Sequence, residues 1–126
     1  MSLMAALRSV MAGIAVALLP ILVQVLPAAA HSPLISSSPV DGDVLAAAPP
    51  AIKMKFRSTA RLVRLALTGA QSGEVTLSEE HLMVENHRHT AALPAIAADK
   101  YEVRWRALSA DGHLVKGSFL FTVGSE

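Results

Sequence analysis

The sequence predicts an all-β fold, an antiparallel β-sandwich of immunoglobulin-like size. Short segments in which apolar and polar residues alternate recur between residues 51 and 123, and a period of two is typical of half-buried strands. Turn-forming pairs separate these segments, among them Asp41-Gly42, Pro49-Pro50 and Asp111-Gly112. The spacing of strands and turns fits one small domain and shows no internal repeat.

The clearest strand covers residues 101–107, where Tyr101, Val103 and Trp105 would face the core while charged residues face water. Residues 51–57 and 118–123 alternate in the same way, with Ile52, Met54 and Phe56 in the first and Phe119, Phe121 and Val123 in the second on one face. Further strands are expected over residues 62–68, 74–77 and 87–93. Residues 78–86 are expected to form a helical turn or a loop, and residues 44–48 a turn.

Residues 1–30 have the composition of a cleaved export signal. Arg8 is their only charge, residues 10–25 are almost wholly apolar, and residues 27–30 supply the small side chains of a cleavage site. A permanent anchor is less favoured, because a bilayer core needs about 20 apolar residues and Pro20 would interrupt the helix. The sequence therefore predicts an exported, periplasmic domain over residues 31–126 that is not embedded in the membrane.

Composition limits what this domain can bind. Without Arg8 it carries ten basic and ten acidic residues, so its formal charge is zero. That balance disfavours nucleic acid or an acidic membrane surface as the main partner. The chain has no cysteine, which excludes disulfides and thiolate metal ligands.

His31 is the most informative of the five histidines. Cleavage after Ala30 would make it the first residue, and its α-amine and imidazole Nδ1 could then chelate one metal ion. The amine has an ordinary pKa of about 7.7–8.0, so proton competition is weak at neutral pH.

Asp111 and His113 flank Gly112, and residues two apart in an extended segment face the same side. With His31 they would supply three nitrogens and one oxygen, a set that suits Cu(II), with Zn(II) as the chief competitor. Taken singly, each element has a plainer explanation: a mobile terminus, a hairpin turn and an exposed strand histidine. A metal site requires that the fold bring residue 31 beside residues 111–113.

The chain resembles the CopC family of periplasmic copper-resistance proteins. The similarity lies in HSPL at residues 31–34, SPVDG at 38–42, PAIKMKF at 50–56 and YEVRWRALSADGHLVKGSFLFTV at 101–123. The resemblance implies a seven-stranded Greek-key β-sandwich or barrel. It also implies one Cu(II) ion per chain, held by His31, Asp111 and His113.

Two departures from the family pattern stand out. Some members hold Cu(I) in a methionine-rich loop, whereas residues 69–89 contain only Met83. His81, His87 and His89 lie nearby, and His87 and His89 could share a strand face. We expect an exposed polar strand there, packing for Met83 and no dedicated Cu(I) site. The second departure is that the turn expected at residues 57–60 lacks the acid that in many members resembles a partner of the copper ligands.

The leading hypothesis is a non-enzymatic protein that buffers, stores or delivers copper. The resemblance implies an inner-membrane copper transporter as its partner. One alternative is a copper enzyme like the histidine-brace monooxygenases; another is a metal-free immunoglobulin-like interaction module. Ser109 lies close to Asp111 and His113, but three residues in one turn are poorly placed for a hydrolase triad.

Overall fold

The computed structural model describes residues 33–124, which form seven strands and no helix. The strands are β1 (Leu34–Ser38), β2 (Asp43–Leu45), β3 (Ala51–Gly69), β4 (Gly73–Val75), β5 (Glu85–Ala92), β6 (Asp99–Ser109) and β7 (Leu114–Val123). The predicted all-β, Greek-key sandwich of seven strands is confirmed. Within these residues the chain has no helix capable of crossing a membrane.

The long strand β3 takes part in both layers of the sandwich. Residues 51–56 pair antiparallel with β1 and β5, whereas residues 60–69 pair with β6, and the last three also pair with β4. Strand β6 pairs antiparallel with β7, which carries the short parallel strand β2 at its other edge. The two layers face each other across the core, where Phe56 packs edge-on against Trp105 with ring centroids 5.2 Å apart.

The core consists of the apolar residues that alternate along β3, β6 and β7. All five aromatic residues of the chain are buried, and Tyr101 stacks on Phe121 at 5.4 Å. The predicted inward faces are confirmed at every position named above. The buried positions in these three strands include Ile52, Met54, Phe56, Leu62, Leu67, Tyr101, Val103, Trp105, Phe119, Phe121 and Val123.

The structure corrects three expectations about strands. Residues 51–57 and 62–68 are one strand rather than two, because the backbone stays paired through residues 60–61. The expected turn at residues 57–60 is therefore an extended segment, in which Arg57, Ser58 and Thr59 are exposed. Residues 43–45 form β2 because their backbone pairs with β7, so the turn expected at 44–48 begins later.

A buried carboxylate fixes the turn between β3 and β4. Asp99 Oδ2 accepts hydrogen bonds from the backbone N–H groups of Ser72 at 2.7 Å and Gln71 at 2.9 Å. These bonds, with a third from the Lys100 N–H, lower the pKa of Asp99 to about 2 although burial opposes the shift. The charged carboxylate thus replaces backbone pairing at the end of the sandwich away from residues 109–113.

Strands β6 and β7 form the hairpin that presents the predicted site residues. They pair without interruption from Asp99↔Val123 to Leu108↔Leu114, and residues 109–113 connect them. The Ser109 N–H donates to the His113 carbonyl at 2.9 Å, which closes the loop. Gly112 has a φ of +88°, a conformation that glycine adopts without the penalty a side chain would bring. Because Ser109 also pairs with Ala60, the loop lies beside the middle of β3.

The packing of Trp105 against Gly117 gives a first prediction. A Cβ atom at residue 117 would lie 2.6 Å from Cζ2 and 2.8 Å from Cε2 of the Trp105 indole, closer than atoms can pack. Gly117→Ala should therefore lower the free energy of unfolding by about 1–3 kcal/mol. Urea unfolding followed by the fluorescence of this single tryptophan measures the change. Ser118→Ala, at the exposed neighbouring position, is the control; an unchanged midpoint for Gly117→Ala would contradict the packing described.

Candidate metal site

The hairpin loop brings Asp111 and His113 together as the spacing predicts. Asp111 Oδ2 lies 2.8 Å from His113 Nδ1, and both side chains are exposed, at 69% and 79%. The ring nitrogen donates and the carboxylate accepts. The other ring nitrogen, Nε2, makes no hydrogen bond within residues 33–124, so its lone pair remains for a ligand.

Ser109 holds this pair in place. Its hydroxyl donates to Asp111 Oδ1, and its oxygen accepts the His113 backbone N–H at 3.2 Å. The Ser109 hydroxyl is the largest cause, and the His113 hydrogen bonds the next, of a pKa for Asp111 lowered to about 2. Asp111 is consequently a carboxylate throughout the neutral range, as a metal ligand must be.

The spatial order of Ser109, Asp111 and His113 is not that of a hydrolase triad. In a catalytic triad the histidine lies between the serine and the acid, so that it can take the serine proton. Here the carboxylate lies between the serine and the histidine, because Ser109 and His113 bond to opposite oxygens of Asp111. The arrangement orients an imidazole and does not activate a serine.

Two ligands do not complete a metal site. Within residues 33–124 no group of three or more histidine, aspartate or glutamate side chains lies close enough together to hold a metal ion. Asp111 and His113 would thus need further donors from elsewhere. His31, the third predicted ligand, lies outside the described residues.

A shallow depression borders the hairpin loop on its β3 side. It has a volume of about 180 Å³ and is lined by Thr59, Ala60, Ser109 and Gly112, among others. Glu85 also lines it and forms an ion pair with Arg61 at 3.1 Å. Glu85 therefore lies near the loop, although residues 57–60 contain no acid. The pairing of β3 with β5 places it there, and the sequence did not show that pairing.

The other histidines differ from what we expected. His89 is buried at 5% exposure, whereas the strand was predicted to be polar and exposed. His87 is exposed and lies where the β3–β5 register shifts, between the paired residues Asn86 and Arg88. His89 Nε2 donates to two carbonyl oxygens, those of Ala60 at 3.0 Å and Asn86 at 2.8 Å. His89 therefore joins β3 to β5 at the point where β3 changes layers.

His81 and Met83 lie in the turn before β5. Met83 was predicted to pack but is 56% exposed, with a φ of +63°. His81 is only 8% exposed, and its Nε2 is buried without a hydrogen-bond partner in the described structure. Burial, followed by the charge of His89, lowers the pKa of His81, although Glu79 opposes the shift. The neutral imidazole behaves as a packing residue of this turn.

These observations define a class: a small β-sandwich whose last hairpin presents a carboxylate-oriented histidine to solvent. The chain belongs to the CopC family, because residues 34–124 match the CopC domain.

Individual proteins of this family are similar to the chain in sequence and in structure. The chain is 33% identical over 105 residues to copper resistance protein C of Pseudomonas syringae pv. tomato, an alignment that covers 76% of this chain and 82% of that protein. Among solved structures, CopC from Methylosinus trichosporium OB3b superposes with a TM-score of 0.59 at 28% identity, covering 74% of this chain and 93% of that one. PcoC, a methionine-rich copper resistance protein from Escherichia coli, gives 0.56 at 28% identity and covers 74% and 98%.

The contact between Ser109 and Asp111 can be tested through protonation. Ser109→Ala removes the main cause of the lowered pKa of Asp111, which should rise from about 2 towards its ordinary 3.8. NMR titration of the side-chain carboxyl carbon measures it, with Ser118→Ala as the control. An unchanged Asp111 pKa in Ser109→Ala would show that the hydroxyl does not hold the carboxylate.

Burial of His81 predicts a pH dependence of stability. The folded pKa lies below the ordinary 6.5, so the unfolded chain takes up a proton that the folded chain refuses as the pH falls through 6.5. Stability should fall between pH 7 and pH 5, by at most about 1.4 kcal/mol per pH unit from this group. Urea unfolding at both values should show a smaller loss for His81→Leu than for the wild type. The exposed His87→Leu serves as control, and equal losses in all three proteins would contradict the assignment.

Proposed function

We propose that this protein is a periplasmic carrier that binds one Cu(II) ion through His31, Asp111 and His113 and buffers, stores or delivers it. Residues 1–30 are its cleaved export signal in this proposal, and residues 31–126 its copper-binding domain. The observation that carries the proposal is the oriented Asp111–His113 pair on the hairpin of a CopC-family domain. Relatives named as copper resistance proteins support the choice of metal.

The path of the chain supports a role for His31. Strand β1 runs antiparallel to the first half of β3, with Leu34 opposite Phe56, and the Arg57 N–H donates to the Pro33 carbonyl at 2.8 Å. Followed backwards from Ser38 to Pro33, the chain runs in the direction in which β3 runs towards Ala60. Ala60 pairs with Ser109, at the start of the hairpin loop.

The number of residues before Pro33 limits where residue 31 can lie. Two residues span at most about 7 Å, so covalent geometry keeps residue 31 within that distance of Pro33. The depression of about 180 Å³ between β3 and the loop offers room on the same side. The proposal requires the α-amine and imidazole of a new N-terminus to reach Asp111 and His113 within this length of chain.

The chemistry of the pair fits Cu(II). Imidazole nitrogen and carboxylate oxygen are donors that suit this ion, and the region described contains no cysteine sulfur. Asp111 and His113 can bind the same ion only if the metal replaces the hydrogen bond between Nδ1 and Oδ2, because Nε2 points away from the carboxylate. A carboxylate has enough lone pairs to bind copper while it still accepts a hydrogen bond from Ser109.

The proposal is for a carrier, not an enzyme. A monooxygenase acting on polysaccharide needs an exposed surface for sugar rings, and every aromatic side chain of this protein is buried. A metal-free interaction module would bind no copper through Asp111 and His113, so substituting them would leave copper binding unchanged. An inner-membrane copper transporter is the partner that the family resemblance implies for a carrier of this kind.

Cu(II) titration of the exported protein tests the proposal. The protein is purified from the periplasm, its first residue is identified by mass spectrometry, and binding is followed by electron paramagnetic resonance. We expect one tetragonal Cu(II) per chain with three nitrogen ligands. Adding one residue before His31 should weaken binding at least tenfold, or about 1.4 kcal/mol, because the amine is lost.

Matched variants separate the ligands. Asp111→Asn and His113→Ala should each weaken Cu(II) binding at least tenfold, whereas His87→Ala should not. A first residue other than His31, or equal binding by the extended form, would remove the N-terminus from the site. Reductant-driven peroxide formation by the copper-loaded protein would favour the monooxygenase instead.

A further inference from the structure

Three cations lie side by side on the outer face of the second layer. Arg64 of β3 pairs with Arg106 of β6, which in turn pairs with Lys116 of β7. All three are exposed, and neighbouring strands are about 4.8 Å apart, so this cationic row extends over roughly 10 Å. It borders a groove of about 500 Å³.

The cationic row is not neutralised within the described structure. No carboxylate of residues 33–124 lies within ion-pair distance of Arg64, Arg106 or Lys116. Arg104, two residues along β6 on the same face, pairs with Glu102 at 2.5 Å, and Glu74 of β4 lies opposite Thr68 at the far end of this face. Like charges directly opposite one another on adjacent strands are destabilising. Because repulsion within the cationic row is destabilising, a bound ligand of opposite charge would stabilise this face.

The surroundings of the row favour a protein as that ligand. Leu114 and Leu120 lie on the same face of β7, on either side of Lys116, and are 60% and 54% exposed. Arginine is enriched at protein interfaces, and the exposed leucines beside the row would add an apolar contact to the charge pairing. Binding to a membrane surface would call for an excess of positive charge and exposed aromatic anchors. The domain has neither, since its formal charge is zero and its aromatic residues are buried.

We propose that this face docks an acidic protein surface that presents two or three carboxylates within about 10 Å. The row adjoins the hairpin loop, because the pair Arg106↔Lys116 is one step along the face from Leu108↔Leu114, the last pair before the loop. A partner bound here would lie beside His113. Docking itself requires no metal; only its use for copper transfer rests on the proposed function.

The test uses a defined acidic probe and the copper-free exported protein. The probe is a 12-residue peptide with four glutamates at alternate positions, and the same peptide with glutamines is its control. In an NMR titration we expect the glutamate peptide to shift the amide signals of β3, β6 and β7 along the row, and binding to weaken as salt screens the charges. The glutamine peptide should not bind.

Two triple variants with the same net charge decide whether the position of the charges matters. Arg64→Gln/Arg106→Gln/Lys116→Gln should lower the affinity for the peptide at least tenfold. Lys53→Gln/Arg57→Gln/Arg88→Gln, which removes three exposed cations elsewhere, should retain it. Arg106→Gln alone should weaken binding while raising the urea midpoint of unfolding, because it relieves the repulsion in the row.

Each other outcome overturns the proposal. Equal loss in both triple variants would show a non-specific effect of net charge, and no binding by the wild type would show that the row is no docking surface. Binding to vesicles of phosphatidylglycerol, but not to the peptide, would assign the face to a membrane. His113→Ala should bind the peptide as the wild type does, so loss of copper binding and loss of docking are distinguishable.

Discussion

Strand β3 belongs to both layers of the sandwich, and the position of the candidate site depends on where it changes partners. Its first half is bonded to β1 and β5, and its second half to β6. At the change, Ala60 pairs with Asn86 on one side and with Ser109 on the other, and its carbonyl accepts the His89 imidazole N–H. The start of the hairpin loop is thereby tied to the middle of the molecule. The hairpin loop is exposed, but its first residue, Ser109, is paired with Ala60.

Alternation in the sequence predicted the strands that contribute most to the core. In β6 every second residue from Asp99 to Ala107 is buried, so tertiary structure and sequence pattern agree. Strand β1 has no such pattern, because LISSS contains few apolar residues and only its backbone pairing with β3 makes it a strand. Residues 57–59 also lack apolar residues that alternate, so the sequence predicted a turn there. Sequence alone could not show that the backbone remains extended through them.

The site was predictable to the extent that it is local. Asp111 and His113 were expected to converge because residues two apart in an extended segment face the same side. They do meet, but across a turn in which Gly112 has a φ of +88°. The role of Ser109 was not predictable, because the sequence argued only against a hydrolase triad. The geometry shows that the Asp111 carboxylate lies between the serine and the histidine. The burial of His89 was missed because four exposed residues precede it in β5, and inward alternation begins only at His89 and continues at Ala91. That pattern is too short to recognise in a sequence.

The copper carrier proposed here would have to hold its ion and also release it, and the hairpin loop combines features that would serve both needs. The Ser109 hydroxyl donates to Asp111 and accepts the His113 backbone N–H, which orders the Asp111–His113 pair and would lower the entropic cost of binding an ion. Yet both side chains remain largely exposed, so a second protein could reach the ion without unfolding the loop. The cationic row next to the loop would supply the complementary step, since unpaired charge speeds the encounter with an acidic partner and orients it. The domain has a formal charge near zero, so its composition does not indicate the cationic row. The row exists because three strands place their cations in register.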